Sequence, residues 1–189
     1  MKIKLNEIYA QLEAWRAERK ITAESQKEGY IINIMEEFGE LAAALRDYER
    51  FSKPSYPYPK NKKYAEHGII DALCDIAVFT INAGADIAPN EIETRNNWSL
   101  SFLLACINYF ETSNFVAYAD DVLICCASLC EKYGFNFEIA MLETIKEISS
   151  RTGSYDEKAK KWIKDESDEA RAKWYKADYE LARIKIPSL

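Results

Sequence analysis

The stretch that decides the fold is His67-Gly-Ile-Ile-Asp-Ala-Leu-Cys-Asp-Ile-Ala-Val-Phe79. It is almost continuously apolar, and only Asp71 and Asp75 introduce carboxylates into it. Residues four apart share one face of a helix. Asp is a poor residue for a helix interior, and carboxylates on a buried helix need a partner. These two acids therefore favour a role in binding or catalysis over a purely structural role in the helix.

The preceding predicted helix, about 25–51, carries the run Glu36-Glu37-Phe38-Gly39-Glu40. Its three carboxylates share an arc of about 100°. On the other helix, Asn82 falls within about 20° of Asp75 around the axis. Four or five acids can therefore face each other, and such a cluster is either well solvated or neutralised by a metal. Oxygen ligands without thiolate suit Mg²⁺, with Mn²⁺ as the alternative.

The other patterns are also helical, and no run shows the two-residue alternation of a sheet. Further helices are predicted at about 4–20, 98–110, 115–133 and 137–150. Residues 53–63 hold three of the five prolines and predict a loop. A short helix is expected near 167–180, within a lysine-rich C-terminal region. The predicted fold class is all-α, with a helical bundle as its core.

The chain has 189 residues, 48% of them hydrophobic and 30% charged, which predicts one globular domain over residues 1–189. A net charge of -6 argues against binding to a nucleic-acid polymer. No apolar run approaches the roughly 18 residues of a membrane span, and no secretory signal opens the sequence. The five cysteines form no CxxC pair and are expected to be reduced core thiols. We therefore expect a cytoplasmic protein.

The two acidic helices resemble those of the MazG-like members of the all-α nucleoside triphosphate pyrophosphatase superfamily. The run Glu36–Glu40 matches the EExxE part of the family signature in full. The ExxD part matches at Asp75, whereas Ala72 stands at the position of its first acid and the acid itself is Asp71. We interpret this spacing as a DxxxD variant, similar to that of phage-type members.

The resemblance covers residues 25–87 closely and residues 134–180 more weakly. It implies a bundle of the pyrophosphatase type with core helices at about 25–52, 65–87 and 135–150. Residues 88–133 then form an inserted helical pair, for bundle packing or subunit contact, and residues 151–189 a basic C-terminal segment. Because related enzymes are dimers or tetramers, the resemblance also implies a homodimer or homotetramer.

The resemblance implies Mg²⁺-dependent hydrolysis of a nucleoside triphosphate, with a deoxynucleotide as the expected substrate. Water would attack the α-phosphorus, giving the monophosphate and pyrophosphate. The implied metal ligands are Glu37, Glu40, Asp71 and Asp75. Glu36 would activate the water, and Asn82 would bind the sugar or base. The basic residues that would meet the phosphates are Arg151, Lys161 and Lys164.

Other classes of function stay open at this point. A non-catalytic helical interaction or nucleotide-binding protein would carry the same acids on a solvated face. A di-iron carboxylate protein also uses glutamates on a helix bundle, but it requires two ExxH motifs and His67 is the only histidine. Tyr175 and Tyr179 could stack on a base, although packing explains them equally well.

Overall fold

Helices dominate the computed structural model, which describes residues 1–56, 58–84, 90–96, 99–158 and 161–185. The helices are α1 (Asn6–Glu18), α2 (Ala23–Phe51), α3 (Pro59–Ala83), α4 (Leu100–Thr112), α5 (Ala119–Lys132), α6 (Phe137–Ser150) and α7 (Asp168–Arg171). Four short strands form two antiparallel pairs, β1 (Lys2–Lys4) with β2 (Glu91–Glu93) and β3 (Gly153–Asp156) with β4 (Lys161–Lys164). A 3-10 turn spans Tyr179–Ala182. Within these ranges no helix combines the length and apolarity needed to cross a bilayer.

The long helices α2 and α3 form an antiparallel hairpin. The hydroxyl of Tyr30, near the start of α2, lies 3.1 Å from that of Thr80, near the end of α3. At the other end of the hairpin, a Cβ added to Gly68 would lie 3.2 Å from the Ala44 Cβ. The absence of a side chain at Gly68 therefore lets the two helices approach closely, and the acidic runs of both helices fall between these two contacts.

Helix α3 is the centre of the fold, because α1, α2, α5 and α6 all pack against it. Its neighbour α5 is buried continuously from residue 122 to residue 130. The segment 88–133 therefore contributes a helix to the core of the bundle, and α5 is not an accessory element on its surface. All five cysteines are buried and free, which confirms the prediction of core thiols.

The boundary between α5 and α6 is fixed by backbone geometry. Gly134 has a φ of 84°, in the left-handed region that favours glycine. Its N–H donates to the Glu131 carbonyl, and the N–H of Phe135 donates to the Cys130 carbonyl, both at 2.9 Å. These are the two hydrogen bonds of a Schellman motif, which ends a helix sharply. The side chain of Asn136 then caps α6.

The predicted, mostly helical fold class is confirmed, but the two short antiparallel strand pairs were not anticipated from the sequence. The four strands have only three or four residues each, which is too short for the two-residue alternation to stand out from helical spacing. The predicted loop 53–63 was also too long, since α3 begins at Pro59. Proline is well suited to the first helical position, where its missing N–H would have had no intrahelical partner.

A short helix was predicted near 167–180, and the structure contains one there, α7, but it covers only Asp168–Arg171. Only α7 and the 3-10 turn are helical there. The N–H groups of Ala177 and Asp178 donate instead to the carboxylates of Glu147 and Glu143 on α6. These contacts hold the segment extended along α6. Its backbone N–H groups donate to side chains of α6 instead of forming the hydrogen bonds of a helix.

The left-handed residue after α5 gives a stability test. We expect Gly134→Ala to lower the free energy of unfolding by about 1–2 kcal/mol, because an added Cβ meets no atom within 4 Å and only the backbone conformation is penalised. Gly134→Asn should lose less, since Asn tolerates this conformation better. Denaturant unfolding of both variants measures the difference. Equal stability of Gly134→Ala and the unmodified protein would contradict the assignment.

Candidate active site

One cavity of about 180 Å³ opens where α1, α2, α3, α6 and β4 meet. Its lining residues are Trp15, Arg19, Gln26, Glu37, Asp75, Val78, Phe79, Asn82, Ile148, Arg151, Trp162 and Lys164. Acids and cations occupy different parts of this wall, and apolar side chains occupy the rest. The cavity thus offers three kinds of surface to one small molecule.

The acidic part of the wall joins α2 to α3. Glu37 and Asp75 both line the cavity. The Oε2 atom of Glu37 is buried and has no hydrogen-bond partner among the described residues. Burial raises the pKa of Glu37 from its ordinary value of 4.5 to about 7, and the neighbouring carboxylates, Glu40 first, add to the effect. An unpaired acceptor with a raised pKa is a group that a cation would stabilise.

Of the two aspartates of α3, Asp75 lines the cavity, whereas Asp71 does not line it but lies close enough for its charge to act on Asp75. Burial first, and then the charges of Asp71 and Glu37, raise the pKa of Asp75 well above its ordinary range. Burial also raises the pKa of Asp71, although the Tyr179 hydroxyl opposes the shift by donating to Asp71 Oδ1 at 2.5 Å. Tyr179 is therefore a buried partner of an acid and does not stack on a base. Tyr175 is similarly engaged, donating to Glu143.

The cationic part of the wall comes from Arg151, just after α6, and from Lys164 on β4. The charge of Arg151 acts on the three partly buried acids Glu37, Asp71 and Asp75, lowering the pKa of each against the dominant effect of burial. Its Nη2 donates to Glu147 Oε1 at 3.1 Å, whereas its Nε is buried without a partner in the described chain. Lys164 Nζ lies 3.0 Å from Glu166 Oε1 at the rim.

Asn82 is fully buried at one end of the cavity. Its Oδ1 accepts a hydrogen bond of 2.9 Å from Arg16 Nη1. This bond fixes the orientation of the amide and leaves Nδ2 as the remaining donor. No described residue accepts a hydrogen bond from Nδ2. The Nδ2 group of Asn82 is therefore positioned to donate a hydrogen bond to an oxygen or nitrogen of a ligand.

Arg19 holds the cationic wall in place. It is 3% exposed, and its guanidinium carbon lies 5.2 Å from the ring centre of Trp15 and 5.1 Å from that of Trp162. Its Nη2 donates to the carbonyls of Ser149 and Arg151, at 3.1 and 3.2 Å. One side chain therefore connects α1, the end of α6 and the β3–β4 hairpin.

The cavity brings together five residues that were singled out in the sequence: Glu37, Asp75, Asn82, Arg151 and Lys164. Glu36 and Glu40 are exposed on α2 and do not line it. The side chain of Lys161 lies outside the described residues. In the part of the chain that the structure describes, no three His, Cys, Asp or Glu side chains are grouped closely enough to hold a metal ion.

Sequence reasoning missed the α1 contribution to the site, chiefly Trp15 and Arg19, as well as Gln26 and Trp162. One signal was present, because Trp15 and Arg19 are four apart and so neighbours on a helix surface. Nothing local to α1 indicates that this pair meets a hairpin far along the chain.

Comparisons of the chain with protein-family models, with curated proteins and with solved structures find no match. What the site can do therefore has to be inferred from its own residues. They present to one cavity an acceptor and two donors that have no partner among the described residues, together with apolar side chains. This arrangement suits a ligand that brings a cation and anionic oxygens together.

The raised pKa of Glu37 predicts a pH dependence of folding. Its neutral form is favoured in the folded protein, so its contribution to stability is complete below pH 4.5 and is lost as the pH rises through about 7. In buffer containing a chelator, Glu37→Gln should reduce this loss of stability, as measured by denaturant unfolding across the window. Glu13→Gln, at an exposed position on α1, is the control. Identical pH profiles for the two variants would contradict the assignment.

Arg19 supplies a second prediction. Arg19→Lys keeps the charge but cannot reach both carbonyls with one planar fork, so we expect a loss of about 1.5–3 kcal/mol in the free energy of unfolding. Lys20→Gln, at the exposed neighbouring cation, should change stability little. Tryptophan fluorescence during denaturant unfolding monitors both variants. The assignment is wrong if the two substitutions have equal effects.

Proposed function

We propose that this protein is a Mg²⁺-dependent nucleoside triphosphate pyrophosphohydrolase of the MazG-like, all-α kind. One observation carries the proposal: the buried, unpaired acceptor of Glu37 shares a cavity with the unpaired donors Asn82 Nδ2 and Arg151 Nε. A triphosphate with its bound Mg²⁺ offers the cation for the first group and oxygens for the others. A deoxynucleotide is the proposed substrate.

A hard divalent cation would suit the chemistry of these acids, and because no three of them are grouped closely enough in the described residues to hold it, side chains would have to move on binding. Glu37 and Asp75 are carboxylates whose ionisation is opposed by burial and by each other, and a cation between them would remove both penalties. Asp71 would assist through the oxygen that Tyr179 leaves free. Glu40, exposed one helical turn after Glu37, would join by rotation of its side chain. Bound Mg²⁺, or Mn²⁺, supplies charge neutralisation and a lowered pKa for a water molecule.

The cations fit the phosphates. Arg151 is held by Glu147 and through its backbone by Arg19, so its guanidinium is oriented before a ligand arrives. Lys164 lies on the same wall, and Lys161 at the other end of β4 is proposed to add a third positive charge. Groups positioned in advance stabilise a negatively charged transition state without having to reorganise.

The remaining wall fits a nucleoside. Val78, Phe79 and Ile148 give an apolar surface for a base or sugar, and Asn82 Nδ2 is placed to donate a hydrogen bond to either. Hydrolysis at the α-phosphorus would release pyrophosphate. We propose Glu36, exposed beside Glu37 on α2, as the group that accepts the proton of the attacking water.

The test is a pyrophosphate-release assay with Mg²⁺ over a panel of ribonucleoside and deoxynucleoside triphosphates. We expect monophosphate and pyrophosphate as products. Glu37→Gln and Asp75→Asn should each lower kcat/KM at least about 100-fold, because even the outer partners of metal ligands cost about 10- to 100-fold when removed. Arg151→Gln should act mainly through a raised KM.

The matched control is Glu13→Gln, which removes a carboxylate from an exposed helical position away from the cavity and should keep full activity. Release of orthophosphate would contradict the reaction, and activity that persists in a chelator would contradict the metal. Nucleotide binding without turnover by the folded protein would favour the non-catalytic alternative.

A further inference from the structure

The end of the α2–α3 hairpin is basic although the whole chain is acidic. We define the hairpin tip as residues 50–65. It contains no aspartate or glutamate, and its five cations are Arg50, Lys53, Lys60, Lys62 and Lys63. The net charge of -6 averages over the whole chain and conceals this local surplus of positive charge. The tip is separate from the cavity, because Phe51 lies about 20 Å along α2 from Glu37.

A row of aromatic rings lies within the hairpin tip. The ring centres of Phe51 and Tyr56 are 4.6 Å apart, and that of Tyr58 lies 5.8 Å from that of Tyr56. Asn61 Nδ2 donates to the Tyr56 hydroxyl at 3.1 Å, which holds the middle ring in place. Tyr58, at the end of the row, is 61% exposed. The row therefore ends in a ring on which another flat ring could stack.

The cations beside this row are only partly neutralised by the fold. The guanidinium carbon of Arg50 lies 5.8 and 5.9 Å from the centres of two of the rings. Lys53 belongs to the same turn, since its carbonyl accepts from the N–H of Tyr56 at 2.9 Å. Neither cation forms an ion pair within the described part of the chain. Lys62 and Lys63 have one carboxylate each, at 3.9 and 3.6 Å, and such long, partly exposed ion pairs are weak.

We propose that the hairpin tip binds single-stranded nucleic acid. In this arrangement a base stacks on the exposed ring of Tyr58, while Arg50 and Lys53 contact the adjoining phosphates. Because every base has an aromatic face, a contact of this kind does not depend on the base sequence. The proposal is independent of the reaction proposed for the cavity.

The composition of the hairpin tip favours this partner over other anions. Residues 50–65 contain no Leu, Ile, Val, Met or Trp, whereas Leu and Trp are typical of segments that insert into a membrane surface. An acidic peptide would pair with the cations but would make no use of a row of rings. A duplex keeps its bases stacked inside the double helix, where Tyr58 cannot reach the face of a base.

Fluorescence anisotropy of a labelled oligothymidylate of about 15 nucleotides tests the proposal on the full chain. An oligouridylate of the same length distinguishes RNA from DNA as the source of the strand. A chelator is present, so that no metal bridges the protein and the phosphates. Tyr58→Leu should weaken binding at least about fivefold, because one base loses its stacking partner. Tyr58→Phe keeps the ring and should bind like the unmodified protein.

The salt dependence of binding gives a readout that a purely structural role would not change. For single strands, the slope of log K against log salt changes by about 0.7 for each phosphate neutralised. Lys53→Gln should therefore reduce the slope by about 0.7. Lys173→Gln removes the same charge from an exposed position away from the tip, and it should leave the slope unchanged. Circular dichroism checks that each variant is folded.

Four outcomes would overturn the proposal. The first is that the unmodified protein does not bind either oligonucleotide at low salt. The second and third are equal affinities for Tyr58→Leu and Tyr58→Phe, and equal slopes for the two lysine variants. The fourth is tighter binding to a duplex, or to vesicles containing phosphatidylserine, than to the single strand.

Discussion

Partly buried carboxylates between two closely packed helices are the constraint to which the rest of the structure responds. Glu37 on α2, with Asp71 and Asp75 on α3, lies where burial opposes ionisation and each acid repels the others. Arg151 and Tyr179 reach back to these acids from the C-terminal part of the chain. The compensation is partial, since Glu37 Oε2 has no hydrogen-bond partner among the described residues, and this unsatisfied oxygen makes the cavity a candidate site.

Helix α3 serves two purposes that ordinarily conflict. Its apolar residues form the centre of the core against α1, α5 and α6, while Asp75 and Asn82 form part of the cavity wall. Because α1, α2, α5 and α6 pack against this helix, the polar groups that it carries are held in place by the core. The cost is that polar atoms such as Asn82 Nδ2 are buried with no partner among the described residues.

Helical periodicity was enough to place Glu37, Asp75 and Asn82 on facing surfaces. The face of a helix on which a residue lies depends only on its spacing along the sequence, so no knowledge of distant contacts is needed. Arg151 and Lys164 were expected only from a family resemblance. Arg19 was missed, since its role depends on how a distant hairpin docks against α1. The hairpin was missed because its strands are short, although Tyr155 faces Trp162 across them, and such aromatic pairs favour strands.

The order of the groups along the chain matters during synthesis. The acidic hairpin of α2 and α3 leaves the ribosome well before Arg151, Lys164 and Tyr179 have been made. A nascent chain at that stage exposes an apolar face whose core partners α5 and α6 are missing, next to carboxylates without their cationic neighbours. Until α5 and α6 follow, these surfaces stay open to solvent and to other chains, which is the condition under which partly made proteins aggregate.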